Sequence, residues 1–122
     1  MNNNKNIGEI GENLACEFLI KKRYKILFRN YREGSDEIDI ITQSFEGVLV
    51  FFEVKTLREI NDLIPEDNLT KDKLRKISRA CRLFAGFHQK LINDRGWRID
   101  LIAITLNKDS DNKICHYENI TA

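Results

Sequence analysis

The sequence predicts an α/β or α+β sandwich, in which helices cover both faces of one β-sheet. Two observations predict this class: the elements follow the order helix, three strands, helix, two strands, and the third strand is apolar on both sides. The composition agrees, because 122 residues with 42% hydrophobic residues, 32% charged residues and a single proline are typical of one globular domain. We therefore expect a single domain over residues 1–122, large enough to fold without disulfides.

The first half of the chain predicts one helix and three strands. Apolar residues recur at spacings of three and four over residues 7–22, which is typical of a helix, and the basic residues at its end suit a helix C-terminus. Strands are predicted over residues 24–31, 37–43 and 48–56. Because only residues 44–47 separate the last two strands, we expect them to form an antiparallel hairpin.

The second half predicts a long helix and two more strands. Thr70 is a candidate N-cap of a helix that reaches to about residue 92, since apolar residues form one stripe along it. The opposite side of this helix carries a basic ridge, defined as Lys71, Arg75, Arg79 and Arg82. These positions fall within about one quadrant at 3.6 residues per turn, so the ridge is a candidate phosphate-binding surface. Strands follow over residues 98–105 and 113–120, joined by a polar turn at 107–112.

Charge is segregated along the chain although the net charge is only +1. Residues 21–32 contain six basic residues and no acid, whereas residues 33–67 contain ten acids against Lys55 and Arg58. Residues 71–95 again contain eight basic residues against two acids. A phosphate-binding surface can therefore coexist with an acidic centre. For any single run, the solvated face of an ordinary helix or turn is the preferred interpretation.

No segment predicts a membrane span or redox chemistry. The longest wholly apolar run, residues 48–52, is far shorter than the ~18 residues that suggest a span, and the first five residues have no apolar signal-peptide core. We therefore expect a cytoplasmic protein without a membrane partner. The three cysteines are scattered without a C-x-x-C pair, and Cys16 and Cys81, within predicted helices, are expected to be small buried side chains.

Charged residues interrupt two strands that otherwise look buried. Strict alternation places Asp39 on the same face as Ile41 and opposite Ile38. If the predicted hairpin forms, Asp39 and Glu53 come close together near one end of the sheet. Two neighbouring carboxylates repel unless a cation lies between them, and oxygen ligands suit Mg²⁺ or Mn²⁺. With Lys55 beside such an ion, the trio fits metal-assisted phosphodiester hydrolysis, but a structural ion pair at a strand end explains the three residues equally well.

Several motifs resemble the YraN family of bacterial endonuclease-like proteins. Asp39, thirteen intervening residues and then Glu53-Val54-Lys55 resemble the PD-(D/E)xK nuclease superfamily. The wider similarity spans nearly the whole chain and is carried by Gly8-Glu9-Ile10-Gly11-Glu12-Asn13-Leu14-Ala15, Asn30-Tyr31-Arg32, Glu37-Ile38-Asp39-Ile40-Ile41, Phe52-Glu53-Val54-Lys55, Arg98-Ile99-Asp100 and His116-Tyr117-Glu118-Asn119. Two positions depart from the pattern: Asp36 stands where a glycine usually precedes the Glu-Ile-Asp stretch, and Leu57 where an arginine often follows the lysine.

The resemblance implies a restriction-endonuclease-like core, similar to archaeal Holliday-junction resolvases. This is a three-layer α/β/α sandwich with a mixed sheet and helices on both faces. The resemblance also implies that Asp39 and Glu53 are metal ligands and that Lys55 is the catalytic lysine. It further implicates Glu12 of the first helix in the metal site, against the alternative of an acid at the solvent edge of the helix.

The roles or surroundings of three more residues have more than one interpretation. Lys73 points towards the apolar stripe of its helix, and it either reaches a phosphate near the site or extends its amine to solvent. Asp100 is either a fourth site acid or a structural residue of the strand that includes Arg98. His116 is expected to face solvent or a partner and to have no part in catalysis.

Two functions of different classes are consistent with this pattern. The first is an Mg²⁺- or Mn²⁺-dependent endonuclease that hydrolyses DNA phosphodiester bonds, including those of branched or damaged DNA. In that function the backbone phosphates are held by Lys71, Lys73, Arg75, Arg79 and Arg82. The alternative is a nucleic-acid-binding module that keeps the nuclease fold without cutting. A protein-interaction domain ranks last, and the sequence leaves a homodimer open.

Overall fold

The computed structural model describes residues 3–58 and 69–121, with side chains from Ile7 onward. Its helices and strands follow the predicted order: α1 (Asn3–Lys21), β1 (Lys25–Glu33), β2 (Asp36–Gln43), β3 (Leu49–Arg58), α2 (Lys71–Phe87), a short 3₁₀ turn (Gln89–Leu91), β4 (Trp97–Leu106) and β5 (Lys113–Tyr117). Part of the predicted acidic centre, namely Glu59, Asp62, Glu66 and Asp67, lies outside the described residues. Neither helix is long and apolar enough, within the described ranges, to cross a membrane.

The five strands form one mixed sheet in the order β1-β2-β3-β4-β5. The pairs β1–β2, β2–β3 and β4–β5 are antiparallel, and β3 and β4 are parallel. Parallel neighbours need a crossover connection, and α2 lies within the one that joins β3 to β4. The predicted hairpin is confirmed, because β2 and β3 pair from Gln43 opposite Leu49 to Ile40 opposite Phe52.

Two hydrophobic cores lie on opposite faces of the sheet. Helix α1 packs one core with Ala15, Cys16 and Leu19 against Ile40, Val50, Phe52, Ile102 and Ile104. Helix α2 packs the other with Ile77, Ala80, Cys81 and Phe84 against Ile38, Ile41, Leu49, Phe51 and Ile99. Strand β3 supplies residues to both cores, which confirms its central position. One helix on each face is compatible with the predicted three-layer sandwich, and both predicted cysteines are buried.

Two elements end earlier than the sequence predicts. Helix α2 ends at Phe87 and not near residue 92, because His88 leaves helical geometry while its Nδ1 bonds the carbonyl of Phe84 at 2.9 Å. Strand β5 ends at Tyr117 and not at residue 120. Asn119 has a φ of 55°, and its backbone N–H donates to the carboxylate of Asp100 at 2.9 Å in place of a strand partner.

The prediction that side chains alternate strictly between the two faces of β2 is wrong at Ile38. Ile40 packs in the α1 core, whereas Ile38 packs in the α2 core together with Ile41. The cause lies on β1, where Asn30 has a φ of 51°, a left-handed conformation that asparagine tolerates better than most residues. Either side of it, Arg29 contacts α1 and Tyr31 packs on α2. Ile38 is the β2 residue that pairs with Tyr31, and both side chains lie on the α2 face of the sheet.

The close packing of α1 on β3 predicts the effect of two glycine substitutions. A Cβ at Gly11 would overlap the side chain of Thr56, whereas a Cβ at Gly8 would meet nothing within 4 Å. We expect Gly11→Ala to lower the free energy of unfolding by about 1–3 kcal/mol. Gly8→Ala, the matched control on the same helix, is expected to raise it by up to about 1 kcal/mol. Urea denaturation checks both values, and equal effects would contradict the packing.

Candidate functional site

The candidate site lies where β2 and β3 stop pairing through their main chains. Backbone pairing ends at Ile40 opposite Phe52. One residue further on, Oδ2 of Asp39 accepts a hydrogen bond from the backbone N–H of Val54 at 2.8 Å. A side chain thus replaces a backbone acceptor between the two strands. It holds the Asp39 carboxylate in the gap, next to Glu53.

The structure brings Asp39 and Glu53 close enough to repel each other. Burial, followed by the charge of Glu53, raises the pKa of Asp39 from 3.8 to about 8, although the bond from Val54 opposes the shift. Burial also raises the pKa of Glu53, and the charge of Lys55 opposes it. The amine of Lys55 lies 3.4 Å from Oε1 of Glu53, and these side chains are only 20% and 14% exposed. The three predicted residues therefore share one poorly solvated site.

Glu12 reaches the same site from α1. Burial raises its pKa, and the nearby charge of Arg29 and a side-chain hydrogen bond from Asn30 lower it. Oε1 of Glu12 is buried and has no hydrogen-bond partner among the described residues. A cleft of about 260 Å³ exposes Glu12 and Asp39 together, and its other lining residues are Ile7, Gly8, Val54, Thr56, Leu57 and Arg58.

The sequence prediction assigned no role to Glu37, although the structure places it at this site. Its charge contributes to the raised pKa values of Glu12, Asp39 and Glu53. We call Glu12, Glu37, Asp39 and Glu53 the acidic cluster. The sequence signal was an acid two residues before Asp39. Asn30 was also missed, and its signal was an asparagine inside a predicted strand.

The five basic residues of α2 that are predicted to bind nucleic acid divide into two groups. Lys73 belongs to the site: the close approach and the charge of the Lys55 ammonium lower the pKa of Lys73, and the charge of Glu53 opposes this. The four residues of the basic ridge are exposed on α2. Two of them already have acidic partners, since Arg75 pairs with Asp72 and Arg79 with Asp36, the latter at 2.8 Å.

Asp100 lies outside the acidic cluster, in a hydrogen-bond network of its own. It is fully buried, and its carboxylate accepts hydrogen bonds from Arg98, from His116 Nε2 at 2.8 Å and from the backbone of Asn119. The side chain of His116 is only 6% exposed, so the expectation that it faces solvent or a partner is wrong. In the described ranges, the one group of three potential metal ligands within 4.8 Å is Asp100, His116 and Glu118. Arg98 pairs with both acids there and already supplies the positive charge.

Comparisons with known sequences identify the family. Residues 11–104 match the sequence model of the uncharacterised protein family UPF0102. A UPF0102 protein of Trichlorobacter lovleyi is 33% identical over 116 residues, covering 95% of this chain and 90% of the relative. Those of Chloroherpeton thalassium and Geobacter sulfurreducens are 37% identical over 117 residues and 38% over 116, covering 92% and 95% of this chain and 84% and 88% of the relatives. The chain belongs to the UPF0102 family, which confirms the predicted YraN-like relationship.

The raised pKa of Asp39 predicts a pH-dependent stability. Between its ordinary value of 3.8 and about 8, the folded protein retains a proton that the unfolded chain has lost. The free energy of unfolding of the metal-free protein should therefore fall as the pH rises through this range. We expect Asp39→Asn to flatten the decline and to exceed the wild type at pH 8 by about 2 kcal/mol or more.

Urea denaturation at a series of pH values, with chelator present, measures this effect. Asp109→Asn is the matched control, because Asp109 is an exposed acid in the turn between β4 and β5. It should leave the decline unchanged. An Asp39→Asn variant that retained the full decline would show that Asp39 does not hold the proton.

Proposed function

We propose that this protein is a metal-dependent endonuclease that hydrolyses DNA phosphodiester bonds, including those of branched or damaged DNA. The observation that carries the proposal is the pair of Asp39 and Glu53, two poorly solvated carboxylates in which the charge of Glu53 raises the pKa of Asp39 and the amine of Lys55 lies 3.4 Å from Oε1 of Glu53. Such a pair opposes folding when both acids are charged, because each loses water and repels the other. A fold that keeps this arrangement is suited to binding a cation there.

The donors at the site fit Mg²⁺ or Mn²⁺, which prefer oxygen ligands. Asp39, Glu53 and Glu12 would hold the ion, and Oε1 of Glu12, which is buried and has no hydrogen-bond partner among the described residues, is an available ligand atom. When bound, the ion would supply Lewis-acid stabilisation of negative charge on a phosphoryl group.

The roles of the basic side chains follow from their positions. The ammonium of Lys55 lies beside Glu53, where it can orient a water molecule and neutralise charge that develops on a phosphate. Lys73 lies next to Lys55 and can bind an adjacent phosphate. The basic ridge, Lys71, Arg75, Arg79 and Arg82, would hold the backbone further along α2. In that complex Arg75 and Arg79 would exchange Asp72 and Asp36 for phosphates.

The finer description of the fold belongs to the same proposal. The mixed sheet, with α1 on one face and the crossover helix α2 on the other, supports a restriction-endonuclease-like core similar to that of archaeal Holliday-junction resolvases. Cutting both strands of a duplex symmetrically would take two such sites. A homodimer acting on cytoplasmic DNA is therefore included in the proposal.

A cleavage assay tests the proposal directly. Labelled duplex, nicked and four-way-junction DNA are incubated with the wild type and Mn²⁺ or Mg²⁺. We expect Asp39→Asn and Lys55→Met each to lower the cleavage rate about 100-fold or more, because each removes a group that stabilises the reacting phosphate or its ion. Lys113→Met is the control, since Lys113 is an exposed lysine on β5.

Two results would contradict the proposal. Equal cleavage by all variants would assign the activity to a contaminant. DNA that is bound by the wild type but not cut on any substrate would favour the non-cleaving binding module, and Asp39→Asn would then leave binding unchanged or tighten it by removing negative charge.

A further inference from the structure

Two arginines of β1 border the acidic cluster without forming close ion pairs with it. Nη2 of Arg29 lies 3.9 Å from Oε1 of Glu12 and donates a 2.9 Å hydrogen bond to Asn13. Nη2 of Arg32 lies 3.8 Å from Oε2 of Glu37. Charge-assisted hydrogen bonds between guanidinium and carboxylate groups are about 2.7–2.9 Å long, so neither acid is bound in this way. Both guanidinium groups therefore keep donors for a better-placed oxyanion.

These arginines lie on the opposite side of the cluster from the site lysines. In the sheet, β2 lies between β1 and β3. Arg29 and Arg32 occupy β1 opposite Ile40 and Glu37, so they lie beyond Asp39 when viewed from β3. On the side of the cluster away from β1, Lys55 lies on β3 and Lys73 lies in the first turn of α2. The acidic cluster is thus flanked by two cationic pairs.

A polyanion needs cations on both sides of the acidic cluster in order to cross this site. The charged carboxylates of the cluster repel any phosphate that approaches, and cations on one side alone would hold the backbone away from Asp39. Arg32 is well placed to bind it from the other side, because 70% of its side chain is exposed. Phosphate is also a strong bidentate partner for a guanidinium group.

We propose that Arg29 and Arg32 form a second phosphate-binding flank, so that a sugar-phosphate backbone crosses the acidic cluster between β1 and the start of α2. The inference rests on the proposed function for its ligand, a nucleic-acid phosphodiester backbone, but it does not depend on cleavage. It adds contacts on β1 to those of the basic ridge on α2.

Fluorescence anisotropy with a labelled DNA duplex, in chelator and at low salt, tests the inference without any cleavage. We expect Arg32→Gln to weaken binding about three- to tenfold and to lower the slope of log K against log salt by about one, because one phosphate contact is lost. Lys25→Gln is the matched control: it makes the same charge change at an exposed position on the same strand, about 23 Å away. It should have a much smaller effect on both quantities.

A double substitution separates a direct contact from an indirect one. Arg32→Gln combined with Glu37→Gln has the same net charge as the wild type. If Arg32 contacts phosphate, the double variant binds more weakly than Glu37→Gln alone and more weakly than the wild type. If Arg32 only screens Glu37, the double variant binds at least as tightly as the wild type, and the inference is overturned.

Arg32→Lys keeps the charge and is the conservative control in case Arg32→Gln does not fold. It should keep the salt slope while losing part of the affinity, since lysine cannot make the bidentate contact. A wild type that cuts nothing but whose DNA binding depends on Arg32 would contradict the nuclease and support this inference. A wild type that does not bind DNA would overturn it.

Discussion

The repulsion between Asp39 and Glu53, two poorly solvated carboxylates, is the constraint on which the rest of this structure depends. The two strands that carry these acids pair up to Ile40 and Phe52 and are then joined by the Asp39 carboxylate itself, through Val54. This replacement leaves the acids in a gap between strands that water reaches poorly. The raised pKa of Asp39 reflects the free energy that is needed to hold both charged carboxylates there.

Neighbouring elements are shaped around that gap. Helix α1 approaches β3 at Gly11, where no larger residue fits against Thr56, and the next residue, Glu12, faces the cleft. The left-handed Asn30 on β1 turns the strand and also bonds Glu12. Helix α2 brings Lys73 to Lys55 from the opposite face. Acids in the middle with cations on two sides form a surface that can bind a polyanion and a divalent ion together.

Periodicity predicted the parts of the fold that depend on local pattern. The apolar residues on both sides of β3 and the short turn before it were enough to predict the central strand and the hairpin, and so the proximity of Asp39 and Glu53. Features set by tertiary contacts were missed. The face of Ile38 depends on the φ of Asn30, and the end of β5 depends on the bond from Asn119 to Asp100. The two-residue period of a strand cannot predict either feature. The positions of Glu37 and Arg29 likewise depend on how β1, β2 and α1 pack together.

Calorimetric titration with Mn²⁺ tests most directly whether the acidic cluster is a metal site. The wild type is compared with Asp39→Asn and with Glu118→Gln, which alters the other group of candidate ligands, Asp100, His116 and Glu118. Our account predicts that the wild type binds the ion, that Asp39→Asn loses this binding and that Glu118→Gln retains it. Binding that survives in Asp39→Asn but is lost in Glu118→Gln would place the ion beside Asp100 and contradict the account.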